Sequence, residues 1–256
     1  MSGVPMSYFL SGRALSEGMT FTLAGEEARH LLKSRRIKPG ERFALQDPEG
    51  GRFSAELIST GRRQATVRVI GPLPVPPLPA RRVVLLQAVV KDKAAEWIVQ
   101  KATEMGVAGL VFFPAQYSAV PRKNQALSLP PSAISRWERI AWEACKQSGR
   151  QFPPAIGQAG GLDAVLEDHG PHRDAESSGW LLHPGGSPPE AGHGSAAPLH
   201  ILVGTEGGFA PAEVEAALAA GFRSVGLGAN VLRSETAALA ASALALMGGG
   251  AAGGEA

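Results

Sequence analysis

Cysteine is almost missing from this chain: Cys145 is the only one in 256 residues. A lone cysteine excludes a disulfide framework and any C-x-x-C zinc site. Long apolar runs are missing too, and no stretch approaches the ~20 residues that a membrane-spanning helix requires. The opening residues, MSGVPMSYFLSGRAL, lack the basic-then-apolar pattern of a secretion signal, so a soluble cytoplasmic protein is expected. Core-forming material is plentiful. With 44% hydrophobic and 19% charged residues, the chain can bury a proper core, which excludes an intrinsically disordered protein. Its length suits one large domain or two smaller ones.

The net charge of +2 conceals an uneven distribution. Residues 1–80 hold 11 basic and 7 acidic side chains, residues 81–160 hold 11 and 5, and residues 161–256 hold 3 and 11. A basic front beside an acidic rear suits a polyanionic partner for the basic portion; ordinary solvated surface charge is the alternative.

The first portion reads as closely spaced strands. Phe43–Gln46 ends at the turn cluster 47–51 (DPEGG). From Arg52 to Ile58, Phe53, Ala55 and Leu57 alternate with Arg52, Ser54 and Glu56, the period of a half-buried strand. Gln64–Ile70 repeats the pattern with Ala65, Val67 and Val69. Glu26–Lys33 reads as a short helix before them, and the whole as a small barrel. Five prolines in 71–79 (GPLPVPPLP) predict an extended connector without helix or ladder. The rhythm then changes to strand–helix alternation, which predicts an α/β fold with a mostly parallel sheet. Val83–Ala88 reads as a strand covered on both faces. Asp92 reads as the cap of a helix reaching Met105, with Gly106 at its end. Residues 168–178 and 185–197 are expected to be mobile loops, and the tail after Met247 to be disordered.

In parallel α/β sheets, ligands bind at the carboxyl ends of strands. Three such ends stand out: 182–185 (LHPG), 203–209 (VGTEGGF) and 227–236 (LGANVLRSET). The second is not a G-x-x-x-x-G-K-[ST] phosphate loop, so a nucleoside triphosphate is not expected. Taken alone it could be a tight strand-to-helix turn, and Ser234 in the third could be an ordinary helix cap. The pairing is more telling: both ends are glycine-rich and each supplies a charge, Glu206 and Arg233. His169, His172, His183, His193 and His200 are scattered and give no fixed ligand set, so no metal is expected. Trp97, Trp137 and Trp142 fall at helical positions and read as core or dimer-interface residues.

Together 203–209 (VGTEGGF) and 227–237 (LGANVLRSETA) resemble the paired signature of SPOUT RNA methyltransferases, and specifically of the RsmE family, which methylates N3 of a uridine in 16S rRNA. Three more pieces agree in order: 91–106 (KDKAAEWIVQKATEMG), 147–150 (QSGR), and His30-Leu31-Leu32-Lys33 with Arg36 and Pro39-Gly40. The resemblance covers almost the whole chain. The chain departs from the common family pattern at Ser34-Arg35, Thr205 and Ala229-Asn230; the last removes a common arginine and leaves Arg233 as the loop's cation.

The resemblance implies a PUA-like RNA-binding β-barrel over 1–72, a Pro-rich linker over 73–82, a SPOUT trefoil-knot methyltransferase domain over 83–248 and a flexible tail over 249–256. It implies S-adenosylmethionine (SAM) held by Leu182, His183, Val203, Gly204, Glu206, Gly207, Gly208, Leu227, Gly228, Val231, Leu232, Ser234, Thr236 and Ala237, largely through main-chain groups. Arg233 and Glu206 are the implied catalytic residues. The implied partners are 16S rRNA in the small ribosomal subunit and a second copy of the chain, joined through the knot domain. Arg29, His30, Lys33, Arg35, Arg36, Lys38, Lys91 and Arg150 are the candidate RNA contacts, with Arg81, Arg82 and Lys93 continuing the patch. A non-catalytic RNA-binding or ribosome-assembly protein with the same fold, and a related enzyme acting on another RNA, are the alternatives.

Overall fold

The computed structural model describes residues 7–118, 129–173, 176–189 and 197–247. His193 and the expected tail over 249–256 lie outside these residues. The chain divides into two units: residues up to Pro77 together with Cys145–Phe152, and Leu78–Ala144 with the chain from Pro153 onward.

In the first unit β1 (Tyr8–Leu10), β2 (Thr20–Ala24), β3 (Arg42–Gln46), β4 (Arg52–Thr60) and β5 (Gln64–Leu73) form one sheet in the order β1-β3-β4-β5-β2. Only the β1–β3 pair is parallel. Ala55 and Leu57 of β4 and Ala65, Val67 and Val69 of β5 point into one core with Leu31 and Leu45, as their alternation predicts. α1 (Gly25–Arg29) continues as a π-helical turn, His30–Ser34.

Two local expectations change. Pro72 does join the sheet, opposite Phe53 of β4. Strand β2 pairs with β5 only over Gln64–Arg68, so the proline end of β5 lies at an edge where its missing N–H costs nothing. Arg52, expected on the solvent face, is buried. Its guanidinium lies 3.9 Å from the centroid of the Tyr8 ring and donates to Gln46 Oε1 (2.7 Å) and to the Gly149 carbonyl (3.1 Å). The ring face and these two bonds offset part of the cost of burying a cation, while Arg52 Nε is left without a hydrogen-bond partner.

The second unit is built on six strands: β6 (Val83–Ala88), β7 (Gly109–Phe113), β8 (Ala155–Gln158), β9 (Ser178–Ser187), β10 (Leu199–Val203) and β11 (Arg223–Val225). Their order is β11-β9-β10-β6-β7-β8, and every pairing is parallel. Strand β6 is buried throughout. Its period of two sends Val83 and Leu85 to one core and Val84, Leu86 and Ala88 to another on the opposite face. The first core receives α2 (Asp92–Met105), α3 (Pro131–Ser148) and α6 (Ser234–Met247); the second receives α4 (Leu162–His169) and α5 (Pro211–Ala219).

Asp92 is the first residue of α2 rather than its cap; Lys91 holds the extended cap position, without a side-chain bond. Gly106 ends the helix at φ 98°, where only glycine is unstrained. Of the expected loops, Pro171–Arg173 is a 3-10 turn and β9 extends to Ser187. No described helix is long and apolar enough to cross a membrane.

Candidate functional site

Because the sheet is parallel, the carboxyl ends of β9, β10 and β11 open on the same side, and their loops enclose a cavity of about 320 Å³. That volume lies at the lower end of the range for small-molecule sites. Leu182 and His183 come from β9 just past its pairing with β10, Val203, Gly204, Glu206, Gly207 and Gly208 from the β10 end, and Leu227, Gly228, Val231, Leu232, Ser234 and Ala237 from the chain after β11. Thr236 does not line it. It lines a second, neighbouring cavity with Arg233, Glu235, Lys91, Lys93, Ala94 and Trp97, and Glu206 lines both.

Glycine makes the loops fit. A Cβ on Gly204 would lie 2.9 Å from the Gly208 carbonyl carbon, and one on Gly226 would lie 2.5 Å from the Gly186 oxygen. Both are closer than real Cβ atoms come, so the backbones touch only because these side chains are absent. The Gly226 amide donates to the Ser187 carbonyl (2.9 Å), fastening the β11 end to the β9 end. Gly208 (φ 73°) closes a tight turn in which its amide donates to the Thr205 carbonyl (3.0 Å).

The remaining fastening comes from Gln87, which sequence reasoning missed. It is the penultimate residue of β6 and is fully buried. Its Nε2 donates to the Ala88 carbonyl (2.8 Å), the Gly204 carbonyl (3.3 Å) and Ser234 Oγ (2.9 Å). Ser234 in turn donates to the same Gly204 carbonyl (2.5 Å). Ser234 therefore ties two loops together rather than serving as an isolated cap. A polar residue within an otherwise apolar strand was the available signal, since a buried amide donor needs acceptors; Gln87 Oε1 is left without a hydrogen-bond partner.

Arg233 and Glu206 are both exposed. Among the described residues Arg233 forms no ion pair, so its charge is available at the second cavity. Among the described residues no group of three or more His, Cys, Asp or Glu is placed to hold a metal.

The candidate RNA contacts separate. Arg29, Lys33, Arg35, Arg36 and Lys38 are exposed in the first unit, on or just after α1 and its π-turn. Arg29 has only an exposed pair with Glu26 at 3.6 Å, worth little in water. His30 is half-buried, edge-on to Phe9. Arg150 is half-buried, and burial lowers its guanidinium pKa. Lys91 is exposed in the second unit. Arg81 leaves the expected patch: it is buried and donates to the Ala197 carbonyl and to Ser178 Oγ, both at 2.9 Å.

SAM suits this cavity on the observed walls. The loops present main-chain groups and the apolar side chains of Leu182, Val203, Leu227 and Leu232, and Glu206 offers one carboxylate to a cation. A flat apolar ring beside a positively charged group matches that set.

The RNA methyltransferase domain family matches residues 76–246, and its PUA domain family matches residues 23–70. A ribosomal RNA small subunit methyltransferase E from Mycobacterium bovis is 30% identical over 226 residues, 88% of this chain and 85% of that protein. The enzyme of that name from Neisseria gonorrhoeae, bound to S-adenosyl methionine, superposes with a TM-score of 0.78 at 27% identity, covering 93% of this chain and 95% of that one. A Legionella pneumophila protein in complex with the bound cofactor SAM gives a TM-score of 0.79 at 25% identity, covering 94% and 97%. With its domain order, its glycine cradle and these matches, the chain belongs to the RNA methyltransferase family, among the ribosomal RNA small subunit methyltransferase E proteins.

Proposed function

We propose that the chain transfers a methyl group from SAM to N3 of one uridine in 16S rRNA, acting on the assembled small subunit in the bacterial cytoplasm. The observation that carries this reading is the sharing of Glu206 between a neutral glycine-lined cavity and a basic one lined by Arg233. The first suits the donor and the second suits an anionic acceptor.

SAM supplies, when bound, a methyl group already activated on a sulfonium. The chain's own contribution is positioning and exclusion of water. Val203, Leu182 and Leu232 would hold the adenine side by apolar contact, and the main-chain groups of His183, Gly204, Leu227 and Val231 would offer it hydrogen bonds. Glu206 balances the donor's positive charge and orients the reacting groups. N3 of uridine is a weak nucleophile until it gives up its proton to solvent, which leaves negative charge on O2 and O4. Arg233 stabilises that charge from the lip of the cradle.

The basic residues on α1 and its π-turn, with Lys91 in the other unit, take the phosphates. The 1–72 barrel serves RNA binding and the 83–248 domain serves catalysis. The catalytic domain is knotted through its three loops and pairs with a second copy. α6 exposes Leu244 and Met247, apolar surface of the kind that an interface between copies covers. The test is incubation with unmethylated small subunits and labelled SAM, followed by mass-spectrometric mapping of the modified base. Label confined to N3 of one uridine supports the reading; its absence from 16S rRNA defeats it.

A further inference from the structure

The second cavity, about 830 Å³, has walls of a different character from the first. Lys91, Lys93 and Arg233 give it three positive charges against Glu206 and Glu235, and Trp97 supplies its aromatic surface. The helix that carries Trp97 buries Ala95, Ile98, Val99, Ala102 and Thr103. Trp97 lies off that stripe and stays 50% exposed, whereas Trp137 is only 4% exposed. Of the core-or-interface reading, the core half therefore holds for Trp137 and not for Trp97. Lys93, Trp97 and Lys101 follow one another at four-residue spacing along one side of α2. The Lys101 ammonium sits 5.1 Å from the indole centroid and is held by Glu104 at 2.8 Å. The ring thus has one cation beside it already, and half of the residue stays exposed.

We propose that this cavity seats an unstacked RNA nucleotide, with its base against the Trp97 indole and its phosphates against Lys91 and Lys93. The inference rests on the methyl-transfer reading above and names where that reaction's acceptor is held. A base buried in a helical stack cannot reach a methyl donor and must be splayed out. Splayed bases are held by aromatic faces, and the neighbouring phosphates by lysines acting as point charges. Since Glu206 borders both cavities, a base seated on Trp97 abuts the donor's place. Lys91 and Lys93, at the start of α2, line the same cavity as the indole and supply the charge for a backbone phosphate. Trp97 acts here as a positioning residue for the acceptor and takes no part in SAM binding.

The experiment compares the full chain with Trp97→Ala and Trp97→Phe. It measures methyl incorporation into unmethylated small subunits, SAM affinity by calorimetry, and particle mass by light scattering. Loss of one stacking contact should lower kcat/KM for the subunit about 10- to 100-fold in Trp97→Ala. SAM affinity should stay within twofold and the mass unchanged, and Trp97→Phe should recover most of the loss because it restores an aromatic face. Wild-type turnover in Trp97→Ala overturns the proposal. So does a halved mass, which would make Trp97 part of an interface between copies, or a parallel loss of SAM affinity, which would make its role structural. If the wild-type chain itself labels no 16S rRNA, the methyl-transfer reading fails first, and that outcome is distinct from a defect confined to the variant.

Discussion

The side-chain amide of Gln87 donates to Ser234 Oγ across 2.9 Å, joining residues 147 positions apart. Ser234 passes the connection to the Gly204 carbonyl, which Gln87 also reaches. The end of β6, the loop after β10 and the first turn of α6 are therefore held by one buried triangle. Such a triangle fixes the spacing of two loops without placing any charge in the cradle between them.

Replacing Gln87 with Met keeps the volume and removes the donor. Ser234 and Gly204 then lose a buried partner, at a cost of about 1–3 kcal/mol. The loops should loosen, weakening SAM about tenfold and lowering the melting temperature by several degrees. Calorimetric titration and thermal denaturation check this together. Unchanged SAM affinity in a less stable variant would assign Gln87 to folding alone.

Gly226→Ala tests the backbone contact directly. The new methyl would meet the Gly186 carbonyl oxygen at 2.5 Å, and neither main chain can yield without moving the β9 or β11 loop. A destabilisation of about 2 kcal/mol or more is expected from forced overpacking, together with loss of SAM binding. Gly157→Ala is the control, since its added Cβ meets nothing within 4 Å. Equal stability of the two variants would contradict the close approach.

How far the sequence could be read follows from which forces act locally. Alternation in β4 and β5 and the continuous burial of β6 reflect strand geometry alone, so the sorting of Val83–Ala88 into the sheet and its two cores was readable. The glycine loops were readable too, because a backbone that must come close excludes side chains wherever it lies. Arg52 was not: its position in the alternation gave it to solvent, and only Tyr8, Gln46 and Gly149, gathered from distant parts of the chain, make its burial tolerable. The partners of Gln87 and the Gly186–Gly226 contact were hidden for the same reason, since both depend on segments that meet only after folding. Trp97, read as core or dimer interface, lies off the buried side of α2, which removes only the core half of that reading.

Arg233→Ala removes the one arginine of the third loop. With its side chain exposed and free of ion pairs among the described residues, the change should leave folding and SAM affinity nearly intact. Turnover on small subunits should fall by about 10²-fold or more, the scale for loss of a group that stabilises developing charge. Calorimetry and methyl incorporation on the same preparation decide it. Retained turnover would refute the assignment.

RNA binding through the patch on α1 and its π-turn should depend steeply on salt. Each phosphate contact adds about 0.7–0.9 to the slope of log affinity against log salt. Replacing Lys33, Arg36 and Lys38 by Ala should lower that slope by about 2–3 and leave SAM affinity unchanged. Filter binding across a salt series gives the slopes. A slope identical to wild type would remove these residues from the interface.

Cys145 sets an alkaline limit on the first unit. It is fully buried, and burial pushes its thiol from the ordinary 9.0 up to about 11, against the smaller opposing pull of the Arg150 and Arg52 guanidinium groups. The folded chain therefore holds this proton more tightly than the unfolded chain does. The resulting stability is fully present below about pH 9 and is lost as pH rises through about 11. A shift of this size is worth about 2–3 kcal/mol at most. Melting temperatures measured from pH 8 to 11.5 should fall more steeply for the wild type than for Cys145→Ala, the difference opening between pH 9 and 11. Below pH 9 the native thiol should also resist alkylating reagents, because little thiolate forms and the sulfur is enclosed. Parallel melting curves for the two chains, or rapid alkylation at pH 8, would show that the thiol is neither perturbed nor sheltered.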